Sequence, residues 1–559
     1  MNSCQRFSLL LLTALLIQIS STSAGETGFD RYVNAPDDSY QWNVVSSTSH
    51  DTHQFVVIDM VSQTWRTTQD VNRTKWQHWI RLTVPHELKS ETGFVMIGGG
   101  SNDSEAPTNP DPRMAALATS TGTVVAELGM IPNQRLIFHN DGEERGEDNL
   151  IGYTWDQFMA TGDATWLARC PMVKSVVRAM DTVTEFMASD DGGKRTVNKF
   201  VVAGGSKRGW TTWLTGAVDD RVVGMMPIVI DVSNSRDSLA HHFAAYGFWA
   251  PSVGDYVRHR ILSRLDEPRY AELMAEVDPH TYFERLTMPK YVINAAGDQF
   301  FLPDSSRFYW EDLPEPKSLR YIPNTNHGLG NSDVYDSLAA FYWLVLHDKP
   351  IPSLTWSVED DGTLHATASQ APQQVLLWQA TNPLARDFRL ETLGPKYVST
   401  ELLPNDDGTY TADVPEPDEG WTAYFIEATF DTDAPELIKA TTGVQVTPDV
   451  LPFAGKDRTQ PASLTVTAVA QDERVAGEIL STIEKLVASG AVTAEDLSTT
   501  RVGRQVYINW RPPLDKVEKH AIAVAGLLKD KGCEQIAFQL ESGLGATIAP
   551  GLQRSVTAP

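Results

Sequence analysis

Val201-Val202-Ala203-Gly204-Gly205-Ser206-Lys207-Arg208-Gly209-Trp210 decides how this chain is read. The run up to Ala203 is uniformly apolar, as in a strand buried on both faces. From Lys207 to about Val218 the chain reads as a helix. A strand therefore turns straight into a helix with one serine at the apex. Such a turn is tight, and small neighbours relieve its crowding; Gly204 and Gly205 supply them. Ser206 would stand above the carboxyl end of its strand, where a nucleophile is exposed. The backbone N–H of Lys207, first in the helix, would point at a developing oxyanion. The usual spacing is G-x-S-x-G. Here it is G-x-S-x-x-G, with Arg208 where the second glycine normally falls.

Working outward, GFVMIGG (93–99), GTVVAEL (122–128), NKFVVAGG (198–205), RVVGMMPIVID (221–231), KYVINAAGD (290–298) and SLRYIPN (318–324) read as short apolar strands. Helical stretches separate them, from Leu167 to Ala188, near 304–312 and over about 333–347. Alternating strands and helices imply a mostly parallel sheet covered by helices. QFVVIDMVS (54–62) and WQHWIRLTV (76–84) precede them as strands bounded by polar clusters. Residues 232–287 are mostly helical and interrupt the alternation, as a cap or lid would.

A serine nucleophile needs a base, and the base needs an orienting carboxylate. In an α/β-hydrolase the chain order is Ser, Asp or Glu, His, each at a strand's carboxyl end. Asp298 ends the strand YVINAAGD, and His327 follows SLRYIPN in Asn324-Thr325-Asn326-His327-Gly328. Gly98-Gly99-Gly100 follows FVMI, and a backbone N–H near Gly99 and Gly100 is the expected second oxyanion donor. Asp304 and Asp231 are alternative acids, and Asp231 also ends an apolar strand. This chemistry calls for no metal or organic cofactor.

Other residues invite narrower readings. Lys207 and Arg208, beside the nucleophile, would bind a substrate carboxylate or strengthen the oxyanion site, unless Arg208 turns away to pair with an acid. Glu147-Asp148 is either an anchor for a free amine or a surface pair. His241-His242, with Asp237 and Asp255 nearby, lacks metal-binding spacing and reads as pocket or lid. Tyr246, Phe248 and Trp249 lie in the cap, where aromatics shape substrate pockets or simply pack. Trp378 and Trp421, further on, read as core rather than carbohydrate contacts.

The chain has 559 residues, enough for about three domains. At 42% hydrophobic and 21% charged it is globular in composition. Acidic residues outnumber basic ones 72 to 46, for a formal charge of −26, which disfavours nucleic acid and anionic lipid as partners. Residues 1–24 carry a basic Arg6, the apolar run FSLLLLTALLIQI and small residues before Gly25. That is a cleavable signal segment, and the expectation is a secreted or periplasmic protein with no stable membrane insertion. Cys4 leaves with it, and Cys170 and Cys533 read as free buried thiols. Asn72-Arg73-Thr74 and Asn102-Asp103-Ser104 match the glycosylation sequon. At Pro350 the texture switches. Residues 351–450 are short β-runs with Asp361-Gly362, Asp407-Gly408 and Glu419-Gly420 turns, expected as a β-sandwich. Residues 451–462 read as a linker and 463–559 as a small α/β domain. The expected division is thus a signal at 1–24, an α/β-hydrolase-like domain at 25–350, then these three.

VVAGGSKRGWTTWLTGAVDDRVVGMMPIVIDV, starting at Val201, resembles the signature of the PhoPQ-activated pathogenicity-related protein family. So do 147–183, 291–314, NTNHGL (324–329) and LLWQATNPLARDFRLETLG (376–394). The resemblance spans about residues 28–453 and leaves 463–559 outside. It implies an exported protein with an α/β-hydrolase-like domain, similar to the catalytic domains of prolyl peptidases and glucuronoyl esterases. Glucuronoyl esterases also carry a basic residue directly after the serine and a displaced glycine, so Arg208 does not by itself preclude activity. The expectation is a serine hydrolase acting on a small-molecule or peptide ester or amide. Its alternative is a hydrolase fold used for binding or signalling with weak or no catalysis. The last domain would meet an extracellular protein or polymer.

Overall fold

The computed structural model describes residues 26–247, 249–383, 385–455, 462–488, 497–510, 528–533, 535–542 and 556–557. The expected signal segment, Phe248, linker residues 456–461 and, in the expected small α/β domain, 489–496, 511–527 and 543–555 lie outside the described residues.

A capping box between Thr27 and Asp30 starts α1 (Gly28–Asn34). Three antiparallel strands follow, β1 (Gln41–Ser49), β2 (His53–Thr64) and β3 (Lys75–Pro85). The sequence reading missed β1, whose polar residues carry no buried stripe. Then come β4 (Thr92–Ile97), α2 (Pro112–Thr121), β5 (Val125–Leu128), a small ribbon of β6 (Leu136–Ile137) and β7 (Glu144–Arg145), α3 (Glu147–Thr161) and α4 (Arg169–Ala188). β8 (Lys199–Gly205), α5 (Lys207–Val218) and β9 (Val222–Ile228) lead into the cap of α6 (Ser235–Tyr246), α7 (Gly254–Arg258) and α8 (Pro268–Val277). β10 (Lys290–Ala295), β11 (Lys317–Ile322) and α9 (Val334–Leu346) complete this part. The expected helix near 304–312 is a single tight turn, Ser305–Phe308.

The nine strands form one sheet in the order β1-β2-β3-β5-β4-β8-β9-β10-β11. Every pairing from β5 to β11 is parallel. These strands are buried on both faces, as their unbroken apolar runs require: Val201 and Val202 are 0% exposed. Each such side chain contributes about 1.5–3 kcal/mol by burial. The chain passes from β4 to β5 on one side, then crosses to β8 on the other side of β4. That reversal opens a crevice at the carboxyl ends of β4 and β8, where ligands bind in sheets of this kind. This is the α/β-hydrolase fold.

A β-sandwich follows. One sheet is β12 (Leu354–Val358), β13 (Leu364–Ala368) and β16 (Tyr410–Ala412). The other runs β15 (Val398–Glu401), β14 (Gln374–Asn382), β17 (Trp421–Phe430), β18 (Ile438–Thr441), with β19 (Gln445–Thr447) on β17. RDFRLETL (386–393), within the stretch read as short β-runs, is not a strand. Arg389 pairs with Asp387 at 2.6 Å, Arg386 reaches Asp304 at 2.6 Å, and a helical turn, α10 (Leu390–Leu393), follows. The Leu390 N–H donates to Gly297 O at 2.9 Å. Gly297 is glycine for this contact, because a Cβ there would lie 2.7 Å from Thr325 O and 3.1 Å from Leu390. The sandwich thus sends a segment out of its sheets to brace the loop that carries Asp298. Trp421 is buried and donates from Nε1 to Val450 O, while Trp378 is only partly buried and donates toward Glu427.

The last sheet is antiparallel, in the order β21 (Leu497–Val502), β22 (Gln505–Trp510), β20 (Ala462–Val469), β23 (Gln535–Ser542), β24 (Val556–Thr557), with α11 (Glu473–Ala488) after β20. Tyr507 of this unit packs edge-on against Phe453 at 5.1 Å, in a cluster with Tyr246 and Ala250 of the cap region. Cys170 and Cys533 are free and buried, and burial pushes the Cys533 thiol up to about 11. Among the described residues no helix is long and apolar enough to cross a membrane.

Candidate active site

β8 ends at Gly205, and Ser206 takes φ 59°, ψ −126° before α5 begins. That region strains any residue with a side chain, by about 1–3 kcal/mol. The fold holds it in place from both sides. Ser206 N–H donates to Ile228 O at 2.8 Å, and Ser206 O accepts from Trp210 N–H at 3.0 Å. The glycine spacing now has a cause. A Cβ on Gly204 would lie 2.8 Å from Arg208 O, and one on Gly209 would lie 2.9 Å from the carbonyls of Gly204 and Ile228. The backbones meet most closely at positions 204 and 209, so position 208 is free to carry a long side chain.

Asp298 lies in the loop beyond β10 and is 4% exposed. Its Oδ2 sits 2.8 Å from His327 Nδ1, and its Oδ1 accepts from Phe300 N–H at 2.7 Å. His327 donates its backbone N–H to Gln299 Oε1 at 3.1 Å. The imidazole packs against Phe300 and Phe301, with ring centres 4.4 and 6.0 Å away. Its Nε2 is buried and makes no hydrogen bond, to Ser206 or to any other described group. Phe300, Phe301 and Ser206 line one apolar cavity of about 50 Å³. The phenylalanines that pack on His327 thus share a cavity with Ser206.

The alternative acids are engaged elsewhere. Asp231 accepts from the phenols of Tyr309 at 2.8 Å and Tyr321 at 2.5 Å. Burial raises its pKa to about 8, against the pull of those two donors. Asp304 meets Arg386 at 2.6 Å and His241 Nε2 at 2.9 Å. Burial alone would raise it, but these charges hold it well below the usual carboxylate range. His242, the other half of the His pair, accepts from Ala250 N–H at 3.1 Å.

Arg208 turns away from the cavity. It grips Glu147 with both terminal nitrogens, at 2.8 and 2.6 Å, and donates from Nε to Ile131 O. Gly99 makes room for it: a Cβ there would lie 2.6 Å from the guanidinium. Gly100 has φ 132°, a conformation open to glycine. Lys207 reaches Glu147 at 2.9 Å and Asp148 at 3.2 Å. Burial would raise Glu147, but Arg208 and Lys207 bring it down to about 2. Glu147 and Asp148 open α3, and only Asp148 lines the cavity. Trp249 is 2% exposed and packs on His242 and Phe243 instead of the cavity wall.

Among the cavity residues that sequence reasoning missed are Arg169, Tyr256, Phe300 and Phe301. Arg169 carried a signal, an arginine heading the apolar stripe of α4 and buried with it. Phe300 and Phe301 stand in a loop without periodicity and gave none.

The family model described as PhoPQ-activated pathogenicity-related protein matches residues 29–389. Autocrine proliferation repressor protein A of Dictyostelium discoideum is 38% identical over 475 residues, 80% of this chain and 94% of that protein. Acetyl xylan esterase 1 from Thermoanaerobacterium sp. aligns with a TM-score of 0.40 and 14% identity, over 57% of this chain and 93% of its own. A puromycin-hydrolyzing peptidase from Mycobacterium tuberculosis aligns at 0.33 and 15%, over 56% and 48%.

Proposed function

The chain belongs to the PhoPQ-activated pathogenicity-related protein family, and we propose that it is an exported serine hydrolase that cleaves an ester or peptide bond. One observation carries the reading. An imidazole fixed at Nδ1 by a buried carboxylate keeps its Nε2 unengaged, and the two phenylalanines packed on it line the same cavity as a strained serine. Asp298 holds His327 in the tautomer whose Nε2 lone pair accepts a proton. Ser206 Oγ attacks the substrate carbonyl carbon as its proton passes to Nε2. The Lys207 N–H has no acceptor within α5, being the first of the helix, and it receives the oxyanion together with an N–H of Gly99 or Gly100. The C–O or C–N bond breaks, and Nε2 returns the proton to the leaving alcohol or amine. Water, deprotonated by the same Nε2, then releases the acid and restores the serine. Such hydrogen bonds often form only once substrate is bound. The apolar run of residues 1–24 supports export.

The missing Ser206–His327 hydrogen bond is also what favours the rival, a binding module without turnover. Labelling of the purified protein with a fluorophosphonate probe separates the two. Strong labelling that Ser206→Ala and His327→Ala both abolish is expected. A folded wild type that stays unlabelled would overturn the hydrolase.

A further inference from the structure

We infer that the Ser206 cavity takes a substrate bearing a carboxylate, recognised by Arg169 with Lys207. The inference rests on the hydrolase reading and adds the substrate class. Five arginines are buried among the described residues: Arg145, Arg169, Arg320, Arg386 and Arg389. Four have a carboxylate at hand, Asp141, Asp333, Asp304 and Asp387 in turn. Arg169 has none within 4.0 Å among the described residues, although it is 1% exposed. One terminal nitrogen donates to Lys207 O at 2.8 Å, and the guanidinium lies over the Trp210 ring at 4.5 Å. Its Nε is buried without a partner. Asp148 and the Tyr256 phenol ease this charge without forming an ion pair with it. A buried cation without a paired anion is costly, and this one lines the cavity beside the serine.

The surroundings have the same sign. Asp148, Arg169, Lys207 and Ser235 line the cavity, and each lies in the first turn of its helix. Four helix N-termini therefore end at the wall, each favourable to negative charge. Two are taken. Gln134 Oε1 accepts from Glu147 N–H at the head of α3, and the Asp278 carboxylate accepts from Asn234 and Ser235 N–H at the head of α6. The heads of α4 and α5 have no capping side chain. Of the charged groups on the wall, Arg169 and Lys207 are cations and Asp148 is the one carboxylate. Asp148 is held by Lys207 and by the Tyr256 phenol at 3.1 Å. Asp255, on the neighbouring turn of the cap, is kept toward its neutral form by burial and by Asp148. Apolar side chains such as Trp155, Ile230 and Leu239 make up the rest. A short apolar body with a carboxylate at its end satisfies all of these at once.

The test compares 4-nitrophenyl hemiglutarate with 4-nitrophenyl butyrate on wild type, Arg169→Gln and Arg169→Lys. Wild type should prefer the hemiglutarate, and the ratio of the two kcat/KM values should fall at least about 30-fold in Arg169→Gln. Arg169→Lys, which keeps the charge, should fall between. Fluorophosphonate labelling of the same proteins reports whether the serine is active. A labelled wild type that hydrolyses the butyrate at least as well as the hemiglutarate overturns the inference and leaves the hydrolase standing. If nothing is labelled or hydrolysed, titration with glutarate decides, read by the fluorescence of Trp155 and Trp210. Saturable binding lost in Arg169→Gln and retained in Arg169→Lys supports the carboxylate site without catalysis, and no binding overturns it.

Discussion

Asp231 and Asp298 occupy equivalent places. Each stands three residues beyond the last residue of a parallel strand, β9 and β10, and each is almost fully buried. Asp231 is sealed between two phenols and retains its proton up to about pH 8. Asp298 faces an imidazole and a backbone N–H. Position on the sheet thus makes a carboxylate available, and the donors that reach it decide its use. Tyr309 and Tyr321 offer hydroxyls that lead no further, whereas His327 passes the influence of Asp298 on to a second nitrogen.

Asparagine at each site should give opposite results. Asp298→Asn should lower kcat for 4-nitrophenyl acetate by about 10⁴-fold, because the imidazole loses its tautomer. Asp231→Asn should stay within about threefold, since no reacting group touches it. Equal losses would erase the distinction. Next in size is a pH effect on stability. Asp231 keeps a proton in the folded state that the unfolded chain gives up near the ordinary carboxylate range of 3.8. Between there and about pH 8 the native state binds the extra proton, so raising the pH costs stability. Urea unfolding at pH 5 and pH 8 should show wild type losing more stability than Asp231→Asn. A parallel decline in both would mean that Asp231 is already charged. Smaller still, Tyr321→Phe should cost about 1–3 kcal/mol in the same assay and leave kcat unaltered. Phe300→Leu is expected to cut kcat only a few-fold, by loosening the ring against which His327 rests.

This comparison also marks how far the sequence could be read. The strands around Ser206 were legible because burial on both faces leaves no polar interruption. Ser206, Asp298 and His327 could be singled out because strand ends place side chains in a known chain order. Which of Asp231, Asp298 and Asp304 meets His327 was not legible, since the phenols, Arg386 and His241 that engage the other two come from distant segments. Arg208 is instructive in another way. Its departure from the usual glycine looked like a change at the reaction centre, but it is answered by Gly99 and Glu147, more than 60 residues earlier. RDFRLETL has the texture of a strand, yet its charged residues find partners outside any sheet.

The hydrogen bond from Leu390 to Gly297 bears on what can be detached from what. A fragment ending at Pro350, where the sequence changes character, would contain all three residues assigned to catalysis and still lack the strut behind Asp298. The smallest portable unit that keeps the proposed site intact therefore has to carry part of the sandwich. Any recombination that exchanges the sandwich for another must supply an equivalent strut, or the acid of the site drifts with its loop.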